Sequence, residues 1–237
     1  MDIEEYRKQF IDELRFNAEH EGTEPETQFI EKYLSDLEEI GELNDPIPMS
    51  VEMRGSRNRL LAFDAYAYDE ADGALILIAS DFTNERDSTP TLTNSRIEDI
   101  YTHMLNFLDE CVQGNISKYC DDSDPALIIA NEFRKKIGKG LLSTEILRFK
   151  FFILSNATLS KQVKNLSKPE FLGRPVELNV WTLERFYQTF ASNSSEIIEI
   201  DTTDFGCDGI QCLKADIGVD SEYDAYLGIV PGKFLAD

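Results

Sequence analysis

The chain has 237 residues, of which 42% are hydrophobic, enough to bury one sizeable core with a smaller appended lobe. Its net charge of −22 argues against tight non-specific binding to nucleic acid, because Lys and Arg neutralising phosphates supply most of that affinity. The longest apolar run, LILIA, is far short of a membrane span, and the acidic start MDIEEYRKQF carries no secretory apolar stretch, so a cytoplasmic location is expected.

The charge is uneven. Residues 1–45 hold fifteen acids against four bases, which gives −11, half of the total. Between Arg134 and Arg174 the balance reverses, with ten bases, Arg134, Lys135, Lys136 and Lys139 among them, facing only Glu145 and Glu170. A solvated basic face is the ordinary reading of such a stripe, and a local nucleic-acid contact through Arg134, Lys135, Lys136 and Lys139 is the alternative.

In chain order, Ile3, Tyr6, Phe10, Leu14 and Phe16 recur at helical spacing until Glu21-Gly22 ends the pattern. A second helix follows Thr23 and Pro25, with Phe29, Ile30, Tyr33, Leu34, Leu37 and Ile40 on its apolar face, Glu31 beside that face, and Gly41 as its stop. Asn44-Asp-Pro-Ile-Pro then leads into extended chain at Ser50–Arg54, and Gly55-Ser56-Arg57-Asn58 makes a polar turn. Arg59–Asp69 and Gly73–Phe82 flank the turn DEADG as a β-hairpin that carries Asp64 on one strand and Ser80-Asp81 at the end of the other.

A long helix capped at Thr93 or Asn94 runs to Gly114, and another begins near Asp124-Pro125 and ends at Ile137. ILRFKFFIL at 146–154 reads as an interior strand, Val176–Trp181 as another, and Leu183–Ala191 as a short helix. Segments at 196–201, 210–214 and 223–230 read as strands. Helices between strands imply an α/β (α+β) fold, a mixed sheet with flanking helices. The expected division is a core at 1–192 and a strand-rich extension at 193–237. The last residues, PGKFLAD, look like a turn and the start of a helix, so the expectation is the front part of a longer protein.

Ordinary catalytic signatures are missing. The spacing of Cys111, Cys120, Cys207 and Cys212, with only His20 and His103 beside them, does not suit zinc, so free thiols are expected. There is no Gly-x-Ser-x-Gly, Walker loop or dinucleotide fingerprint.

The two acidic helices, FDAYAYDEADGALILIASDF, FFILSNATLS, VELNVWTLERFYQTF, EIIEIDTTDFG and YLGIVPGKFLAD, in that order, resemble the front of bacterial abortive-infection phage-resistance proteins. The resemblance implies a core like that of PD-(D/E)XK nucleases, in which a helix glutamate, a strand aspartate and a Glu/Gln-x-Lys on the next strand surround Mg²⁺. It places the helix acid at Glu31, the strand aspartate at Asp64 and the third motif at Ala79-Ser80-Asp81. Here the pattern departs, with Asp81 where the lysine belongs and Ala79 where a carboxylate or amide belongs. A degenerate core is therefore implied, with Asp64 and Asp81 as the remaining metal ligands and Mg²⁺ as cofactor only if the site works. The implied role is an accessory, sensing or protein-interaction module of a phage-defence protein, whose partner is its own C-terminal region or another protein. An active Mg²⁺-dependent nuclease and a DNA-binding module without cleavage are the alternatives.

Overall fold

The computed structural model describes residues 2–138, 145–161, 163, 169–191, 212–215 and 225–228. Five helices and ten strands follow in order within them. They are α1 (Ile3–Glu21), α2 (Pro25–Glu39), β1 (Ile47–Arg54), β2 (Leu60–Asp69), β3 (Ala74–Asp81), β4 (Thr91–Leu92), α3 (Asn94–Gln113), α4 (Pro125–Ile137), β5 (Arg148–Ser155), β6 (Thr158–Leu159), β7 (Glu170–Phe171), β8 (Arg174–Trp181), α5 (Leu183–Phe186), β9 (Cys212–Ala215) and β10 (Ala225–Gly228).

By its internal contacts the chain divides into Met1–Ala191 and Ser192–Asp237. In the second unit β9 and β10 pair antiparallel. The strand expected at 196–201 and Lys139 both lie outside the described residues.

The first unit is built on a six-stranded mixed sheet in the order β1-β2-β3-β5-β8-β7. The hairpin read from DEADG is present, with β2 and β3 antiparallel from Ala65 opposite Ile78 to Asp69 opposite Ala74. β3, β5 and β8 then run parallel. β3 and β5 are near-continuous apolar runs because helices cover both sheet faces. On one face Leu75, Leu77, Phe149, Phe151 and Ile153 pack with Ile97, Met104, Phe107 and Phe133 of α3 and α4. On the other, Ile76, Ile78, Phe152 and Leu154 meet Phe10, Leu14, Phe29, Tyr33 and Leu37 of α1 and α2.

Capping chemistry sets the ends of α3 and α4 where the sequence placed them, whereas α2 begins after Glu24, without a side-chain cap bond, and not from Thr23. The Thr93 hydroxyl accepts from the Arg96 N–H, Asp124 accepts from Ala126, and Gly114 closes α3 in the left-handed region at φ 72°. An added Cβ at Gly114 would lie 2.6 Å from Arg134 Nη1, the end of a flexible side chain that can move, so it is the positive φ that favours glycine there.

Two apolar positions differ from the periodic reading. Phe16 is 69% exposed and Ile40 is 41% exposed, whereas Arg7 is buried on the inner stripe of α1. Its guanidinium donates to the carbonyls of Asn156, Glu85 and Ser88 and thereby pins the 83–88 loop beneath α1. Asn156 completes that anchor, accepting from the Thr83 N–H at 3.0 Å and donating to the Thr83 carbonyl at 2.9 Å.

Candidate functional site

The hairpin opens where its acid sits. Along β2, Leu61 and Phe63 face the α3 side, Ala65 and Ala67 the α1/α2 side, and Tyr66 the α3 side again. The alternation therefore slips once around Asp64, and the pairing of β1 with β2 is irregular between Pro48 and Val51. The described β2–β3 register ends at Ala65 and Ile78. Past that point the Ser80 N–H donates to Asp64 Oδ2 at 2.7 Å, so the carboxylate takes the place of a ladder carbonyl.

A cleft of about 180 Å³ lies at this opening and is lined by Glu26, Glu52, Asp64, Ser80, Arg96 and His103 among others. The first turn of α2 delivers Glu26, which accepts from Ser80 Oγ at 3.0 Å. Burial pushes the Asp64 carboxyl above the usual carboxylate range; the two bonds from Ser80 oppose this, and the charges of Glu26 and Glu52 add to it. Burial also pushes the His103 imidazole below its ordinary value. The cleft thus holds three carboxylates, a neutral imidazole at pH 7 and one guanidinium.

Asp81 is turned to other work. Its Oδ1 accepts from Arg96 Nε at 2.8 Å and its Oδ2 from Ser155 Oγ at 3.1 Å. Glu31 does not line the cleft; it is exposed on α2 and accepts a long 3.5 Å bond from Gln28. The geometry thus brings Asp64 together with Glu26 and Glu52 rather than with Glu31. Oxygen donors suit Mg²⁺ in type, but among the described residues no three His, Cys, Asp or Glu side chains are grouped as a metal ion requires.

Among the described residues of the basic stripe, Lys136, Arg148, Lys150 and Arg174 make contacts within the domain. Arg134 lies against Gly114 at the end of α3, and Lys136 sits 4.4 Å over the Tyr68 ring. Lys150 pairs with Asp69 and Asp72, and Arg148 with Asp72. Arg174 is buried and donates to the Ile137 carbonyl. Lys135 is exposed. Tyr68, Asp69 and Asp72 thus take up Lys136, Arg148 and Lys150, while among the described residues Arg134 and Lys135 are exposed. Cys111 and Cys120 are free thiols, and burial pushes the Cys111 thiol well up.

Several structural residues carried no sequence signal. Glu26 stands in the same helix as Glu31, and nothing in the spacing prefers one to the other. Arg96 and His103 lie one and three turns into α3, on the side that meets the opened hairpin.

No curated protein and no solved structure matches the chain significantly. The family model described as the abortive infection phage resistance protein N-terminal domain matches residues 29–188, more than half of the chain. On that match the chain belongs to the abortive infection phage resistance protein N-terminal domain family.

Proposed function

We propose that this domain serves phage defence as an accessory, sensing or protein-interaction module on a nuclease-like core that does not cleave. The nuclease-like part of the reading is supported by the placement of Asp64 on one strand, Ala79–Asp81 on its antiparallel neighbour, and a helix acid, Glu26, above them. The silent part rests on one observation above all. Asp81 stands where a nuclease lysine would orient the attacking water, and both of its oxygens are bonded, to Arg96 and to Ser155. The partner in this reading is a protein, either the C-terminal region or another chain, and the place of action is the cytoplasm.

A second reading has one observation in its favour. Arg96 brings a cation into the same cleft, so a Mg²⁺-dependent nuclease using Glu26, Asp64 and Arg96 would not lack positive charge. Incubation of labelled DNA and RNA with the protein and Mg²⁺ or Mn²⁺ decides between them. The proposal expects no cleavage above buffer. Cleavage that disappears in both D64A and R96A, and persists in the remote variant K135A, would establish the nuclease instead.

A further inference from the structure

The β1–β2 turn is tied down from beneath by α3 and the residues that follow it. Arg57 and Asn58 are consecutive non-glycine residues in the left-handed region, with φ of 57° and 59°. Asparagine tolerates that conformation, whereas an arginine there is strained and persists only when its surroundings impose it. The surroundings here are unusually complete. Glu110, with no exposed surface, accepts from the Ser56 N–H at 3.0 Å, from Arg59 Nη2 at 2.9 Å and from Asn115 Nδ2 at 2.8 Å. The Ser56 hydroxyl meets Tyr119 Oη at 2.7 Å, and Gly55 donates to the Arg59 carbonyl at 2.9 Å.

The turn is also a local reversal of charge. Between Glu52 and Asp64 the sequence has three arginines and no acid, inside a chain of net charge −22. Arg59 is consumed by Asp109 and Glu110, and Arg54 uses one Nη group on the Asn58 carbonyl. Arg57 is exposed at the tip. Two consecutive left-handed residues closed by the Arg59 N–H on the Ser56 carbonyl are a hairpin turn, and an arginine rather than Asn or Gly in it, held from below by a buried carboxylate, sets a cation at its apex.

We propose that the β1–β2 turn is a preorganised contact site for a carboxylate-bearing segment of a partner protein, with Arg57 as its central residue and Arg54 beside it. Arginine's planar fork matches a carboxylate in two parallel hydrogen bonds, and a fixed backbone removes part of the ordering cost of binding. A nucleic-acid strand fits less well. Useful affinity for phosphates comes from many neutralised charges, about six to ten, and this turn offers two exposed guanidinium groups. At physiological salt the acidic body is screened beyond about 8 Å, so it does not exclude one acidic side chain from the tip. The inference gives the protein-interaction reading its surface and rests on that reading, but it is independent of whether the cleft cleaves, which the nuclease assay reads separately.

The test uses the whole domain and a fluorescent oligoglutamate peptide, followed by anisotropy at physiological ionic strength, with a single-stranded oligonucleotide of equal charge as the second probe. R57A weakens peptide binding about tenfold, the size expected for losing a charge-assisted bonded pair, whereas K135A changes it less than about twofold. R57N keeps the turn, lowers peptide affinity as R57A does, and raises the Tm because asparagine accepts the left-handed conformation. Peptide binding insensitive to R57A overturns the proposal. So does an Arg57-dependent preference for the oligonucleotide, and an R57N Tm at or below that of the parent removes the strain on which the inference stands.

Discussion

Two carboxylates at the β1–β2 hairpin show what burial does with and without partners. Glu110 has no exposed surface, and burial alone would raise its pKa, but donors from Asn115, Ser56 and Arg59 hold it down at about 2. Asp64 is largely buried as well, yet Ser80 is its main donor and its charged neighbours are the acids Glu26 and Glu52, so its pKa moves up. The same physical cost is compensated in one place and left standing in the other. A carboxylate that is fully hydrogen-bonded is a structural part; one left under-compensated in a cleft is where a ligand, proton or partner can act.

Removing Glu110 is the harshest way to break this comparison. E110A leaves the Ser56 N–H and Asn115 Nδ2 without their acceptor and Arg59 with Asp109 alone, and is expected to cost about 2–3 kcal/mol, read from urea unfolding. The pH dependence follows from the sign of the shift. Glu110 has a folded pKa below its unfolded value, so its stabilisation is present above the ordinary glutamate range and is lost as pH falls towards about 2. The gap between parent and E110A should therefore narrow on acidification.

Asn156 comes next. N156A leaves the Thr83 N–H without its acceptor and removes one of the two donors to the Thr83 carbonyl, Arg7 Nη2 being the other, while the bonds from Arg7 to the loop remain, for an expected loss of about 1–2 kcal/mol. The smallest effect belongs to Asp64. D64N keeps an acceptor for the Ser80 N–H while removing a poorly compensated charge, so stability at pH 7 should rise or stay within about 1 kcal/mol. Here the sign reverses. With a folded pKa above the unfolded one, Asp64 contributes stability that is complete below the unfolded pKa and lost as pH rises through the folded one, so the parent gains on D64N as pH falls.

These residues also mark where the sequence could be read and where it could not. Helices α2, α3 and α4 were legible because their signals are local: Pro25, Thr93, Gly114 and Asp124-Pro125 act within a turn of their own positions. The hairpin was legible from DEADG between two runs of β-formers, and with it the mixed sheet. Asp64 could be singled out because a lone acid in an apolar strand is visible as such. What it touches could not, since the slip in strand alternation that opens the cleft is a tertiary event. Nothing in the sequence marked Arg7, because its carbonyl partners at Asn156 and Glu85 lie 149 and 78 residues away. The basic stripe looked continuous because Asp69, Asp72 and Tyr68, which take up its side chains, belong to a distant hairpin.

The central claim is that Asp64 lies in a cleft that neither satisfies its charge nor gathers the ligands of a metal. Carboxyl ¹³C NMR titration of Asp64 and Glu110, with and without Mg²⁺, tests it directly. The expected result is Glu110 ionised down to about pH 2, Asp64 titrating above the usual carboxylate range, and no displacement of the Asp64 curve by Mg²⁺. An Asp64 that titrates at or below the ordinary aspartate value, or whose curve Mg²⁺ moves to lower pH, would contradict the account and place a working metal site in the cleft.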